Sequence, residues 1–63
     1  MQTDLTARRE DEVLSQGELA EVVDVTRQTI NAIERNRYDP SLELAFALAH
    51  HFDCNIEDIF EPE

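Results

Sequence analysis

Residues 16–35, QGELAEVVDVTRQTINAIER, decide the fold. Apolar residues stand at Leu19, Ala20 and Val23, are interrupted at Asp24-Val25, and resume at Ile30 and Ile33. Spacings of three and four gather each set on one face of a helix, so the stretch reads as two helices of about eight residues joined by a turn of roughly three. Ser15 and Glu18 have the spacing of a capping box at the start of the first helix. Thr26 is placed to cap the second. Ala20 is small where the second helix must cross, since a bulky side chain there would hold the two apart. The β-branched Ile30 fills the space opposite.

The same signals extend in both directions. Thr3 or Asp4 caps a short first helix over 5–11, with Leu5 and Ala7 facing inward; Val13 and Leu14 anchor the link that follows. Asn36 stands where the helix begun at Arg27 must stop, because asparagine tolerates a left-handed C-terminal cap. Tyr38-Asp39-Pro40 is a turn, and Ser41 caps a helix from Leu42 to about Phe52 whose inward stripe is Leu42, Ala45, Leu48 or Ala49, and Phe52. Asn55 caps a last turn over Ile56 to Phe60, and Glu61-Pro62-Glu63 is a frayed tail. The pattern predicts an all-α, five-helix single domain over 1–63, with the second and third helices crossing as a helix-turn-helix.

Charge poses the functional question. The chain carries 15 acidic residues against five arginines and no lysine, a net charge of −10. Three of those arginines, Arg27, Arg35 and Arg37, lie within eleven residues. Three arginines against one glutamate give residues 26–37 a charge of +2, which leaves −12 on the other 51 of a chain totalling −10. With 41% hydrophobic residues the chain is not a disordered acidic tail. Abundant carboxylates without lysine resemble the profile of salt-accumulating halophiles. At about 1 M salt the Debye length is roughly 3 Å, so distant carboxylates no longer repel a phosphate backbone.

The face of the third helix answers the question. With Ile30 and Ile33 inward, about 100° per residue turns Arg27, Gln28, Asn31, Ala32 and Arg35 outward. Arginine suits guanine O6 and N7, an amide suits adenine N6 and N7, and an alanine methyl suits the methyl of thymine. Gln16 and Thr26, at two helix N-termini, suit phosphates. Arg35, Asn36 and Arg37 lie past that surface, within reach of the neighbouring backbone.

Residues 14–60, LSQGELAEVVDVTRQTINAIERNRYDPSLELAFALAHHFDCNIEDIF, closely resemble the small lambda-repressor-like regulators of the Cro/CI, or XRE, helix-turn-helix family. The segments Gln-x-x-Leu-Ala, Val-x-Arg-Gln-Thr-Ile, Ile-Glu-x-x-x-Tyr-x-Pro-Ser-Leu and Ile-Glu-Asp-Ile-Phe occur in order. The resemblance implies a five-helix domain, sequence-specific operator binding, and a homodimer on a palindromic site. It also implies Gln16 on phosphate, with Arg27, Gln28 and Asn31 toward bases. Two glycines usual in the family are replaced, by Asp24 in the turn and Asn36 after the third helix, and both can adopt the left-handed conformation.

No apolar run of 18 residues and no apolar signal core occur, which predicts a cytoplasmic protein without a membrane segment. Cys54 is alone, so no intramolecular disulfide can form. His50, His51, Asp53 and Cys54 match no zinc spacing, and adjacent histidines point about 100° apart on a helix. No nucleophile–base arrangement, phosphate loop or small-molecule pocket is legible, so neither an enzyme nor a bound cofactor is expected. Phe52, Ile56, Ile59 and Phe60 form the apolar end on which a second copy would dock. Double-stranded DNA and a second copy are the expected partners. The competing reading is a protein-interaction module, either antitoxin-like or an acidic mimic of DNA.

Overall fold

Small polar residues start the helices, and left-handed residues end them. The computed structural model describes residues 1–62, within which α1 spans Leu5–Asp11, α2 Gln16–Val22, α3 Arg27–Glu34, α4 Leu42–His51 and α5 Ile56–Ile59. Ser15 Oγ accepts from the Glu18 amide at 3.0 Å while Glu18 Oε1 accepts from the Ser15 amide at 2.8 Å, closing the capping box of α2. Thr26 Oγ1 caps α3 through the Thr29 amide at 3.2 Å, and Ser41 Oγ caps α4 through the Leu44 amide at 3.1 Å. At α1 it is Thr3, rather than Asp4, whose side chain accepts, from the Leu5 amide at 3.2 Å.

The four longer helices close in the same way without a glycine. Val13, Asp24, Asn36 and Asp53 follow their C-termini with φ of 58°, 60°, 59° and 54°. In each case the next amide reaches back to the carbonyl five residues earlier: Leu14 to Arg9, Val25 to Ala20, Arg37 to Ala32, and Cys54 to Ala49, at 2.9–3.1 Å. These are Schellman closures, which satisfy carbonyls a helix end leaves unpaired. Asp24 and Asn36 take the role their sequence positions suggest. Val13 is different. It is β-branched, the costliest kind of residue to hold at positive φ, and it is 87% exposed, so it anchors nothing.

The core gathers Leu5 from α1, Leu19 and Ala20 from α2, Ile30 and Ile33 from α3, four residues of α4, and Ile59 and Phe60. The stripe of α4 differs from the one its spacing suggested. Leu44, Ala45, Leu48 and Ala49 are buried, whereas Leu42 is 69% exposed. At about 100° per residue, Leu42 stands a quarter-turn from the centre of that stripe, and it follows directly on the Ser41 cap. Phe52 is half-buried as the C-cap of α4, and Ala7 faces solvent.

The helices are joined by a feature that no periodicity announces. β1, Gln2–Thr3, pairs antiparallel with β2, Phe60–Glu61, with Gln2 opposite Glu61 and Thr3 opposite Phe60. Thr3 Oγ1 donates to the Ile59 carbonyl at 3.0 Å and the Asp4 amide donates to the same oxygen at 2.8 Å. Glu61 is therefore paired instead of frayed; Glu63 lies outside the described residues. This clasp also explains why Ile59 and Phe60 are only 2% and 4% exposed. They belong to the core of one chain and are not available as an exposed contact surface for a second copy, contrary to the expectation above.

The strained cap yields a stability prediction. Val13→Gly removes the side chain from a left-handed position where it buries nothing, and should stabilise the fold by about 1 kcal/mol. Urea unfolding should show a higher midpoint at unchanged slope. An unchanged or lower midpoint would mean that position 13 carries no strain.

Candidate nucleic-acid interface

Packing sets the rotation of α3. Ile30 and Ile33 are 0% and 2% exposed, Gln28 and Arg35 lie on the surface opposite, and Arg27 is exposed to one side near the helix start. Asn31 and Ala32 are half-buried on the flank. Asn36 and Arg37 follow the helix on its exposed end. The stem of Arg27 runs past Gly17, where a Cβ would stand 3.9 Å from Arg27 Cδ, so α3 and the N-terminus of α2 share one surface. Gln16, first residue of α2, lies on that shared surface and is half-buried. Thr26 is exposed, but its hydroxyl is committed to Thr29, to the amide at 3.2 Å and the hydroxyl at 3.0 Å.

Among the described residues, the side chains of Arg27, Gln28, Arg35 and Arg37 make no hydrogen bond or ion pair. Arg37 therefore pairs with neither Asp39 nor Glu34, the two acids nearest in sequence. The reason is visible at Glu34. Arg9 of α1 grips its carboxylate at both oxygens, Nε to Oε2 at 2.7 Å and Nη2 to Oε1 at 3.1 Å. Arg9 Nη1 also donates to the Leu14 carbonyl at 2.8 Å. The two side chains are 12% and 6% exposed, a pair largely withdrawn from water. The one acid of the basic island is thus neutralised from behind, and the exposed face keeps three cations and no anion.

The pair extends into a line of amides. Gln16 Nε2 donates to Glu34 Oε1 at 3.0 Å, and Asn31 Nδ2 donates to Gln16 Oε1 at 3.4 Å. Burial works to raise the Glu34 pKa, but hydrogen bonds from Arg9, Gln16 and Thr6, with the charge of Arg9, outweigh it and hold the carboxyl below its ordinary 4.5. The hydrogen bond to Glu34 holds the Arg9 guanidinium above the ordinary arginine range, against the opposing effect of burial. Arg9 and Glu34 are 25 residues apart, so no helical spacing links them in the sequence. The one signal available was an acid inside an otherwise basic stretch.

The other candidates separate. His51 Nε2 stands 2.9 Å from Glu12 Oε1, joining the end of α4 to the end of α1. Among the described residues no three His, Cys, Asp or Glu side chains stand together as metal ligands. No helix of the described residues is long and apolar enough to cross a membrane. Of the apolar end, Phe52 and Ile56 are half-buried, and the large apolar groups that do face solvent include Leu42 and Phe46 of α4.

Five short helices, with α2 and α3 crossed around Ala20 and Ile30, make the chain a member of the helix-turn-helix family, whose profile matches residues 5–59. Among its relatives are HTH-type transcriptional regulators of two archaea. One, from Methanocaldococcus jannaschii, is 57% identical over 47 residues, covering 75% of this chain and 71% of its own. Another, from Methanothermobacter thermautotrophicus, is 51% identical over 61 residues, covering 95% and 88%. Among solved structures, the clp gene regulator ClgR from Corynebacterium glutamicum superposes with a TM-score of 0.76 at 30% identity. That match covers 86% of this chain but only 57% of the ClgR chain.

The buried pair makes a pH prediction. A carboxyl whose pKa is lower folded than unfolded adds stability that is complete above the ordinary 4.5 and is lost as pH falls through the lower folded value. Glu34→Gln leaves Arg9 without its counter-charge and should cost roughly 2–3 kcal/mol at neutral pH. The deficit relative to wild type should shrink from neutral to acidic pH, as pH falls through that lower folded value and the wild-type carboxyl also protonates. A deficit that stays constant in urea unfolding at both pH values would remove the ion pair from the account.

Proposed function

We propose that this chain is a sequence-specific DNA-binding transcriptional regulator that reads the major groove with α3. The observation that carries the reading is the exposed side of that helix: Gln28 and Arg35 stand opposite buried Ile30 and Ile33, Arg27 is exposed to one side of them, and among the described residues none of the three is engaged elsewhere. Unengaged guanidinium and amide groups on a helix set by its own core contacts are what base edges require. Gln16, the start of α3 at Thr26, and Arg35, Asn36 and Arg37 flank that surface and take phosphates. Since the Thr26 hydroxyl already serves as a cap, its end of α3 offers backbone amides and the positive end of a helix dipole.

The regulator acts as a homodimer on a palindromic operator, two α3 helices standing roughly 34 Å apart in successive major grooves. Exposed Leu42 and Phe46, with half-buried Phe52 and Ile56, supply apolar surface for the second copy. The protein works in a salt-rich cytoplasm, where screening removes the repulsion between its −12 remainder and DNA.

Fluorescence anisotropy against a duplex selected from random DNA tests the reading. Gln28→Ala should weaken binding to the selected duplex by about 5- to 100-fold, as loss of an amide–base contact does, and far less to unrelated duplexes. A basic protein captured in preference to DNA, with Gln28→Ala indifferent, would favour the mimic or antitoxin reading. Binding should depend only weakly on salt over roughly 0.5 to 2 M KCl, because screening of the acidic surface offsets counterion release. A steep loss would refute the salt argument while leaving DNA binding intact. Sedimentation of the DNA complex as one chain per duplex would refute the dimer.

A further inference from the structure

The line Arg9–Glu34–Gln16–Asn31 has a direction. An ionised carboxylate only accepts hydrogen bonds, so the Gln16 atom 3.0 Å from Glu34 Oε1 must be its NH2 group. The carbonyl of the same amide is thereby turned toward Asn31. A carbonyl likewise only accepts, so the Asn31 atom 3.4 Å from it must be NH2 as well. Reversing either amide would place oxygen against oxygen. The charge on Glu34 therefore fixes the orientation of two neutral amides, the second of them on the flank of the DNA-reading helix. Among the described residues Asn31 Oδ1 accepts no hydrogen bond. One hydrogen of its Nδ2 is also left over, since NH2 carries two.

The geometry points to Arg9 and Glu34 as positioning residues for base specificity: through Gln16 they hold the Asn31 amide in one orientation, with its free Oδ1 acceptor and its remaining N–H donor on fixed sides, a pattern that matches adenine. This rests on the proposed DNA-binding function and adds to it the base class read at one position. Adenine presents a donor at N6 beside an acceptor at N7, whereas guanine presents two acceptors. An amide free to flip is less able to separate them. One held by its neighbours discriminates, and the discrimination originates at a carboxylate that does not itself face the groove.

The test is selection of bound sequences from random duplexes by wild type, Asn31→Ala, Glu34→Gln and Gln16→Ala, with far-ultraviolet circular dichroism on each variant. The base position whose preference disappears in Asn31→Ala is the one Asn31 reads. Wild type should favour adenine there by about ten-fold or more over guanine. In Glu34→Gln the new amide can donate or accept, so the preference at that position should fall to within about three-fold while preferences elsewhere in the site persist. Gln16→Ala cuts the line while keeping both Arg9 and Glu34, and should reduce the same preference even if Glu34→Gln does not fold. Overall affinity lost with the adenine preference intact in both variants would show a purely structural role and overturn the proposal. So would a wild-type preference for another base at that position. Failure of wild type to select any sequence would instead overturn the DNA-binding reading, and this inference with it.

Discussion

Ile30 and Ile33 hold the molecule to one arrangement. α3 has eight residues, too few to persist as a helix by its own hydrogen bonds. Its order comes from burying two isoleucines, each worth roughly 1.5–3 kcal/mol on removal from water. Three residues apart, they lie on one side of the helix, and only one rotation of the rod buries both. That rotation also decides which side chains are left outside. The Arg9–Glu34 pair then fixes the far end, joining the last residue of α3 to α1 through two hydrogen bonds, while Arg9 donates a third to the Leu14 carbonyl. A pair so withdrawn from water adds less net stability than its Coulomb energy suggests, because desolvation opposes it. Its contribution here is to register.

The same pair sets the charge of the surface. Had Glu34 faced outward, it would have stood among three arginines and cancelled part of their field. Held by Arg9 on the inner side, it leaves the outer side purely cationic. The division between a small basic face and a strongly acidic remainder is thus a product of folding as well as of composition. In dilute buffer the remainder would oppose approach to a polyanion, and in concentrated salt that opposition falls away within a few ångströms.

Much of the fold was legible in the residues themselves. Ser15, Thr26 and Ser41 act locally as caps, and Asp24 and Asn36 are residues for which a left-handed conformation is affordable; both signals depend on near neighbours alone. The buried stripe of α4 was partly misread because an apolar helix admits several stripes, and Leu42 obeys the spacing of three while standing at the edge of the buried arc. Val13 was misread because a valine gives no sign of a C-terminal cap. The clasp of Gln2–Thr3 against Phe60–Glu61 could not be read, since strands of two residues have no period, and with it went the burial of Ile59 and Phe60. For the interface, the exposed positions Arg27, Gln28 and Arg35 followed from helical phase. The partners of Gln16 and Asn31 did not, because Arg9 reaches Glu34 only once the chain has folded.

The rotation of α3 and the DNA contact proposed for its exposed side are open to one direct observation. Nuclear magnetic resonance of isotopically labelled protein, titrated in concentrated KCl with a duplex recovered by selection, observes that surface residue by residue. The side-chain signals of Arg27, Gln28, Asn31 and Arg35 should move most, and the methyl groups of Ile30 and Ile33 should keep their contacts with the core. Perturbations confined to the exposed side of α4 around Leu42 and Phe46, with the α3 signals unmoved, would contradict it.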